Sequence, residues 1–569
     1  MSTARLAALD AVDPDLAPAA PARARPRVRP VALLTEGDLV AAGLCALYGL
    51  ALLAFHRALH DFSLRVYDFL HHAELARGVA EGRVEVNGFY PLGYPALLAA
   101  GFHFVPNVFV VGEVVSGAAA LVVLFVTYRL LRALLVNEGG ALLPFLAMGA
   151  VGLCPAFLQH ATTPGTDMLH VALLLASLWL VLEAVDAYEP GRWLVAAGLL
   201  AGLSYLVRYT STLVLPAFGL WLLLARPWGR ATLRLGADYL LAFVAAAAPQ
   251  FVLSAIQHGS PWYTTTLAKN AWVGNYAGPL PELRWGDVPD SVSLLDVIRV
   301  DPGHFLLNWG TNIVGSTIWG DVATLARWFE RVAAGGGLVL TGADGPAGLA
   351  PALLKVLAVL AAAAVVLRGA DWTPDLGLKA GFLALFALIF TGVTALAFIT
   401  ERHLLVTVPI LIVLALAALR NLVDLRAATV TGVLALALLA YHLAAFGYPQ
   451  RWMLGYPHAA QASAIVHAQG AAAGEVYTTN WGFYDYDSPW LEHYEPVPIG
   501  VPSVDVLVAT MRARGIRYLV YDRNGGIAQW PQLEPLLHPE QQPGGLRLVA
   551  APILSPESPP NLVLVYALP

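Results

Sequence analysis

Apolar and polar positions alternate along this chain in long blocks. Apolar runs fall near 38–59, 108–134, 141–161, 167–185, 192–208, 211–225, 237–257, 350–367, 378–399, 403–419 and 428–446. Most are long enough to cross a hydrocarbon core of about 30 Å, so about eleven transmembrane helices are expected. Between the first two runs, Ala96–Val105 reads as a juxtamembrane helix rather than a crossing. The 258–349 segment holds Pro261-Trp262-Tyr263, Asn308-Trp309-Gly310 and an apolar stretch near 321–334. It is too long for a plain loop and too aromatic for disorder, so it is expected to lie partly helical on the membrane surface. From about residue 448 the pattern becomes that of a soluble domain. Strands are expected at Glu475–Thr479, Ile516–Tyr521, Leu546–Ala551 and Leu562–Ala567, and a helix at Val504–Arg514.

Composition agrees. The 569 residues are 58% hydrophobic and 13% charged, with mean hydropathy +0.64, whereas a soluble domain carries about a quarter charged residues. Cys45 and Cys154 lie inside apolar runs and are read as small core residues, with neither a disulfide framework nor zinc-ligand spacing. No apolar stretch precedes Arg29, so no cleavable signal peptide is expected.

The net charge of −6 matters less than where the basic residues fall. With the N-terminus inside, the inner connections carry Arg129, Arg132, Arg192, Arg226, Arg230, Arg234, Arg368, Lys379, Arg420 and Arg426. The acidic and imidazole groups able to do chemistry then share the outer face. The expected organisation is a disordered cytoplasmic tail (1–36), a transmembrane domain (37–447, with outer loops 60–107 and 258–349) and a small extracytoplasmic α/β domain (448–569). A bacterial plasma membrane suits this topology. No nucleic acid partner is expected.

The first outer loop is the most telling stretch. Tyr67-Asp68-Phe69-Leu70-His71-His72-Ala73-Glu74 is followed by Gly88-Phe89-Tyr90-Pro91-Leu92-Gly93-Tyr94-Pro95. As a helix it brings Asp68, His71, His72 and Leu75 to i, i+3, i+4 and i+7 on one face. A carboxylate at the membrane interface can serve as a general base, and partial burial is expected to raise its pKa. An ordinary surface or capping Asp is the plain alternative. Asp167, with His170 one turn on, opens an apolar run after Thr162-Thr163-Pro164-Gly165-Thr166, where an acid can simply complement a helix N-terminus. Arg208 sits at the outer end of its run and suits bidentate contact with phosphate. Lys269, Arg402 and His403 are further outer-face candidates for that task, with anchoring to lipid headgroups as the alternative. Glu401 reads as a third acid or a structural partner of Arg402 or Arg208. Glu113 reads as a buried polar partner.

Taken in order, the early acid, the Pro91-Leu92-Gly93-Tyr94-Pro95 segment and the acid heading a later span resemble the GT-C superfamily of polyprenyl-phosphate-sugar-dependent glycosyltransferases. Its branch containing protein O-mannosyltransferases and lipid A aminoarabinose transferases is the most similar. Gly202-Leu203-Ser204-Tyr205-Leu206-Val207-Arg208-Tyr209, His258-Gly259-Ser260-Pro261-Trp262-Tyr263 and Glu401-Arg402-His403-Leu404-Leu405 carry the likeness further. Gly515–Asp522 resembles outer domains attached to bacterial members.

The resemblance implies a GT-C-like helical fold and an inverting glycosyltransferase. The sugar would pass from a polyprenyl-phosphate carrier to an extracytoplasmic glycan, lipid or protein. It implies Asp68 as base, Asp167 as second active-site carboxylate, Arg208, Lys269, Arg402 and His403 toward the donor phosphate, and His71, His72 and Glu401 as acceptor-side or accessory groups. A divalent metal (Mg or Mn) stays open, because Phe69 stands where the family often has a second adjacent acid. Two other classes are weighed, a polytopic lipid or sugar transporter or flippase and a non-catalytic membrane sensor or assembly protein. The first would need ionisable groups near mid-membrane, and the second leaves the Asp68 and Asp167 loops unexplained.

Overall fold

The structure, a computed structural model, describes residues 35–58, 67–135, 142–276, 288–314, 374–397, 401–422, 457–479, 488–498, 500–523, 530–551 and 563–569, with a few short pieces between them. The first part is helical: α1 (Glu36–Ala58), α2 (Tyr67–Ala80), α3 (Gly93–Phe102), α4 (Val108–Leu134), α5 (Leu143–Gly152), α6 (Pro155–Thr162), α7 (Thr166–Asp186), α8 (Pro190–Tyr205), α9 (Val214–Ala225), α10 (Arg230–His258), α11 (Thr266–Tyr276), α12 (Leu294–Val300) and α13 (Pro302–Val314). Further helices span Pro374–Thr394, Glu401–Leu404 and Thr407–Leu422.

Among the described residues five helices are long and apolar enough to cross a membrane: Glu36–Ala54, Val108–Leu134, Thr166–Asp186, Arg230–His258 and Leu376–Thr394. A sixth is counted among the described residues if the bent pair α5 and α6 is one span. The run at 141–161 is not one straight span, because α5 and α6 meet at 67°. The cause is local: Cys154 precedes Pro155 and is extended (φ −65°, ψ 124°), since a residue before proline is pushed out of helical conformation. The runs at 192–208 and 211–225 are the shorter helices α8 and α9, separated by the Arg208 turn and a 3-10 turn at Tyr209–Leu213. The expected spans at 350–367 and, for most of its length, 428–446 lie outside the described residues, as do the tail up to residue 34 and the 321–334 stretch.

Small residues set the helix spacing. Gly198 and Gly202, four apart on α8, meet the backbone of α10, where an added Cβ would come within 2.2 Å of the Tyr239 carbonyl oxygen and 2.4 Å of that of Phe243. Without a water-driven hydrophobic gain between spans, such close backbone approach is a main source of attraction.

One end of the bundle is held by ion pairs. Asp38 is fully buried and pairs with Arg129 and Arg132, each at 2.9 Å. Arg129 also reaches Glu183 at 3.3 Å and lies 4.7 Å over the Trp179 ring. Lys379 contacts Asp186 at 2.5 Å and the Ala133 carbonyl at 2.8 Å. Asp186 closes α7 and Asp167 opens it, so this cluster lies about 28 Å from Asp167 at 1.5 Å per helical residue.

The C-terminal part carries a five-stranded sheet in the order β4-β1-β5-β7-β6. Its strands are β1 (Val476–Thr478), β4 (Glu495–Pro496), β5 (Tyr518–Asp522), β6 (Arg547–Ala550) and β7 (Val563–Ala567), with a β2–β3 pair (Tyr484–Asp485, Glu492–His493) beside it. β1 runs parallel to β4 and β5, while β7 is antiparallel to β5 and β6. The helix Val504–Arg514 starts at Ser503, whose hydroxyl accepts from the Val506 N–H, and stops at Gly515 in the left-handed conformation (φ 72°).

Candidate active site

At the end of the bundle away from the Asp38 cluster, α2 lies against α3 and α4 through Phe69, Leu70, Ala73 and Ala76, all buried. Gly112 of α4 makes room for two parts of the site at once. A Cβ there would lie 2.5 Å from the Phe69 ring and 2.6 Å from Pro164. Phe69 follows Asp68, and Pro164 precedes the turn into Asp167, so one glycine sets both carboxylates.

Asp68 is ion-paired with Arg402 and accepts a hydrogen bond from the Tyr90 hydroxyl at 3.1 Å. Its side chain is 35% exposed. Burial pushes its pKa up, but Arg402 and Arg208 outweigh that and hold the carboxyl below its ordinary value. This corrects the expectation that burial would raise it. Tyr90, half-buried beside the anion, is held protonated, its pKa pushed well above the ordinary value. Its loop is clamped from two sides. Gln250 accepts from the Leu92 N–H at 3.1 Å, and the Thr266 hydroxyl donates to the Phe89 carbonyl at 2.8 Å.

Asp167 sits in the first turn of α7, whose N-cap Gly165 makes no side-chain cap. Its carboxylate turns instead to Arg208 at 2.6 Å and to His160 at 3.7 Å. The Arg208 contact lies off the N–H direction, so it is a close charge pair more than an aligned hydrogen bond. Arg208 is extended (φ −149°, ψ 132°) where α8 ends. Behind it, His170 holds the turn. Its Nδ1 meets Ser204 Oγ at 3.0 Å and Ser211 Oγ at 3.1 Å, and Ser211 donates to Ser204 at 2.8 Å. His170 thus acts as a positioning residue between α7 and the Arg208 turn.

Asp68, Asp167, Arg208 and Arg402 therefore stand together, and His403 lies within electrostatic reach of all four. The other expected site residues are placed differently. Lys269 is the partner of Asp290. His72 is only 2% exposed, with its ring edge-on to Tyr90 and Tyr94, and burial pushes its pKa down to about 3, so it is neutral. His71 is exposed, stacked on Tyr90 at 5.6 Å between ring centres, and 3.5 Å from Glu74. The Glu401 side chain lies outside the described residues. Tyr90 and His160 were missed as site residues. A tyrosine in a polar loop and a lone histidine in an apolar run both pass for ordinary interfacial residues.

In this structure arginine side chains meet the charge on the two acids, and Phe69 is packed into the apolar cluster. Among the described residues no group of three or more His, Cys, Asp or Glu side chains converges as a metal cage.

Residues 90–254 match the family described as dolichyl-phosphate-mannose-protein mannosyltransferase. Over this stretch the match agrees with the resemblance read from the sequence. The matched stretch holds Tyr90, His160, Asp167 and Arg208, while Asp68 and Arg402 flank it. No curated protein sequence matches the chain. Three of the similar solved structures illustrate the likeness in fold. The Archaeoglobus fulgidus oligosaccharyltransferase in its apo form has a TM-score of 0.49 and 12% identity, over 86% of this chain and 70% of that one. ArnT from Cupriavidus metallidurans bound to undecaprenyl phosphate has a TM-score of 0.42 and 14% identity, over 93% of this chain and 98% of that one. The arabinofuranosyltransferase AftD from Mycobacteria has a TM-score of 0.41 and 15% identity, over 94% of this chain and 40% of that one.

Proposed function

We propose that the protein is an inverting glycosyltransferase that moves a sugar from a polyprenyl-phosphate carrier to an acceptor outside the cytoplasm. One observation carries the reading: two carboxylates and two guanidinium groups meet at one end of an apolar bundle, each acid gripped by an arginine. The family match over residues 90–254 supports it.

In this reading the donor phosphate takes up Arg402 and Arg208, with His403 beside them. Guanidinium suits phosphate through paired, charge-assisted hydrogen bonds. As the bond from the anomeric carbon to the phosphate oxygen breaks, the leaving group gains charge, and these fixed cations stabilise it. The acceptor hydroxyl attacks from the opposite side and gives its proton to Asp68, so configuration inverts. Once the arginines turn toward phosphate, burial is no longer opposed and Asp68 becomes a stronger base. Asp167 keeps Arg208 aimed, with His160 behind it, and Tyr90 orients the Asp68 carboxylate.

Topology follows from the same picture. The Asp38–Arg129–Arg132 and Lys379–Asp186 cluster lies at the far end of the bundle, and basic residues favour the cytoplasmic side. The active end then faces outward in a bacterial plasma membrane, with the sheet-bearing part beside it.

The test is incubation of the purified protein with a panel of polyprenyl-phosphate sugars and a cell-envelope extract as acceptor source. Release of polyprenyl phosphate is expected with one member of the panel. Release with none, from protein shown to be folded, argues against the reading.

A further inference from the structure

Four side chains of α2 recur at three-residue intervals, the half-buried Asp68 and the exposed His71, Glu74 and Arg77. Each step climbs about 4.5 Å and turns about 60°. The row starts at the Arg402 pair, passes the stacked His71 and Tyr90 rings, and ends at a cavity of about 280 Å³ where Arg77 meets the C-terminal part. The far wall of that cavity is Trp490, Glu492 and His493.

This wall is fixed in place. The Val108 N–H donates to the Pro489 carbonyl at 3.0 Å. Trp490 stacks on Phe102 with 3.9 Å between ring centres. Leu491 is buried in the cluster that also holds Phe69 and Leu70, with a backbone φ of 56° that a side chain rarely adopts. Arg77 bonds Glu492 at 3.3 Å.

The lining has a definite chemistry. Glu74 and Glu492 supply acceptors, Arg77 supplies donors, His493 supplies a ring nitrogen, and Trp490 supplies an apolar face. The charges are mixed and largely paired, so neither a polyanion nor a polycation is favoured. Directional hydrogen bonds beside an aromatic surface suit a hydroxyl-rich, uncharged ring.

We propose that this cavity binds a neutral sugar of a glycan acceptor, and that the α2 row leads the chain from there to Asp68. The inference rests on the glycosyltransferase reading and sharpens it. The acceptor is an oligosaccharide, held by a sugar further along the chain than the one that reacts, rather than a lone monosaccharide, a peptide or a lipid headgroup.

Neutral linear manno-, galacto- and gluco-trisaccharides and their monosaccharides are the probes, with binding to the purified full-length protein read by saturation-transfer NMR without donor. At least one trisaccharide is expected to bind at least tenfold more tightly than its monosaccharide. Trp490→Ala and the milder Arg77→Gln should each weaken it at least tenfold in protein of parental melting temperature. The inference is overturned if no trisaccharide binds, if both variants bind like the parent, or if a peptide of similar length binds in a Trp490-dependent way instead. Polyprenyl-phosphate binding on the same samples reports on the transferase reading separately, since Arg208 and Arg402 lie outside the cavity.

Discussion

Arg402 grips the Asp68 carboxylate across 334 residues of sequence. This contact ties the first juxtamembrane helix to the turn before the last described apolar helix, and it sets the charge state of the proposed base. In the resting protein Asp68 is ionised and restrained, a poor proton acceptor until its partner turns away.

Arg402→Gln should therefore do two things. Donor-lipid affinity should fall, because a phosphate ligand is lost. The acidic limb of the kcat/KM profile should move to higher pH, because burial then acts on Asp68 with less opposition. A profile that keeps its acidic limb in place would mean that Asp68 does not set it.

The same pair has a signature in stability. Asp68 is held below its ordinary pKa in the folded protein, so its contribution is present above about pH 3.9 and is lost as pH falls through the lowered value. Melting temperatures of the parent and Asp68→Asn should differ at neutral pH and converge in acid. A gap that widens as pH falls would contradict the assignment.

Gly112→Ala touches neither carboxylate yet should disturb both. Its Cβ would lie 2.5 Å from the Phe69 ring and 2.6 Å from Pro164. Overpacking of this kind costs about 1–3 kcal/mol, and turnover should fall along with the melting temperature. Parental turnover would show that the two acids need no common support.

Sidedness can be read directly. Cysteine introduced at Ser503, in the C-terminal part, should react with an impermeant maleimide in intact spheroplasts. Labelling only after permeabilisation would reverse the orientation and move the active end to the cytoplasm.

Much of this arrangement was legible in the chain because polar groups at the ends of apolar runs stand out. Asp68, Asp167, Arg208 and Arg402 were recognisable for that reason, and the 3.6-residue period of Tyr67–Leu75 marked α2. The sense of the Asp68 pKa was not legible, since Arg402 reaches it only through the fold. Nor did the pattern show that His72 turns inward, because its position beside Asp68 on the helical wheel lies at the edge of the buried face. The bend at Cys154-Pro155 was not legible either, because a hydropathy average smooths over a break inside an apolar run. Tyr90 and His160 carry no local signal, and only the clamped loop and the α6 bend bring them to the acids.

The most direct measurement compares Asp68→Asn with the parent in one donor-binding assay and one single-turnover assay, using the polyprenyl-phosphate sugar that the panel identifies. The amide keeps the shape and cannot take the proton. Transfer should fall by about 10²–10⁴, while the donor lipid still binds through Arg208 and Arg402. Transfer at the parental rate would remove Asp68 as the base and contradict the mechanism.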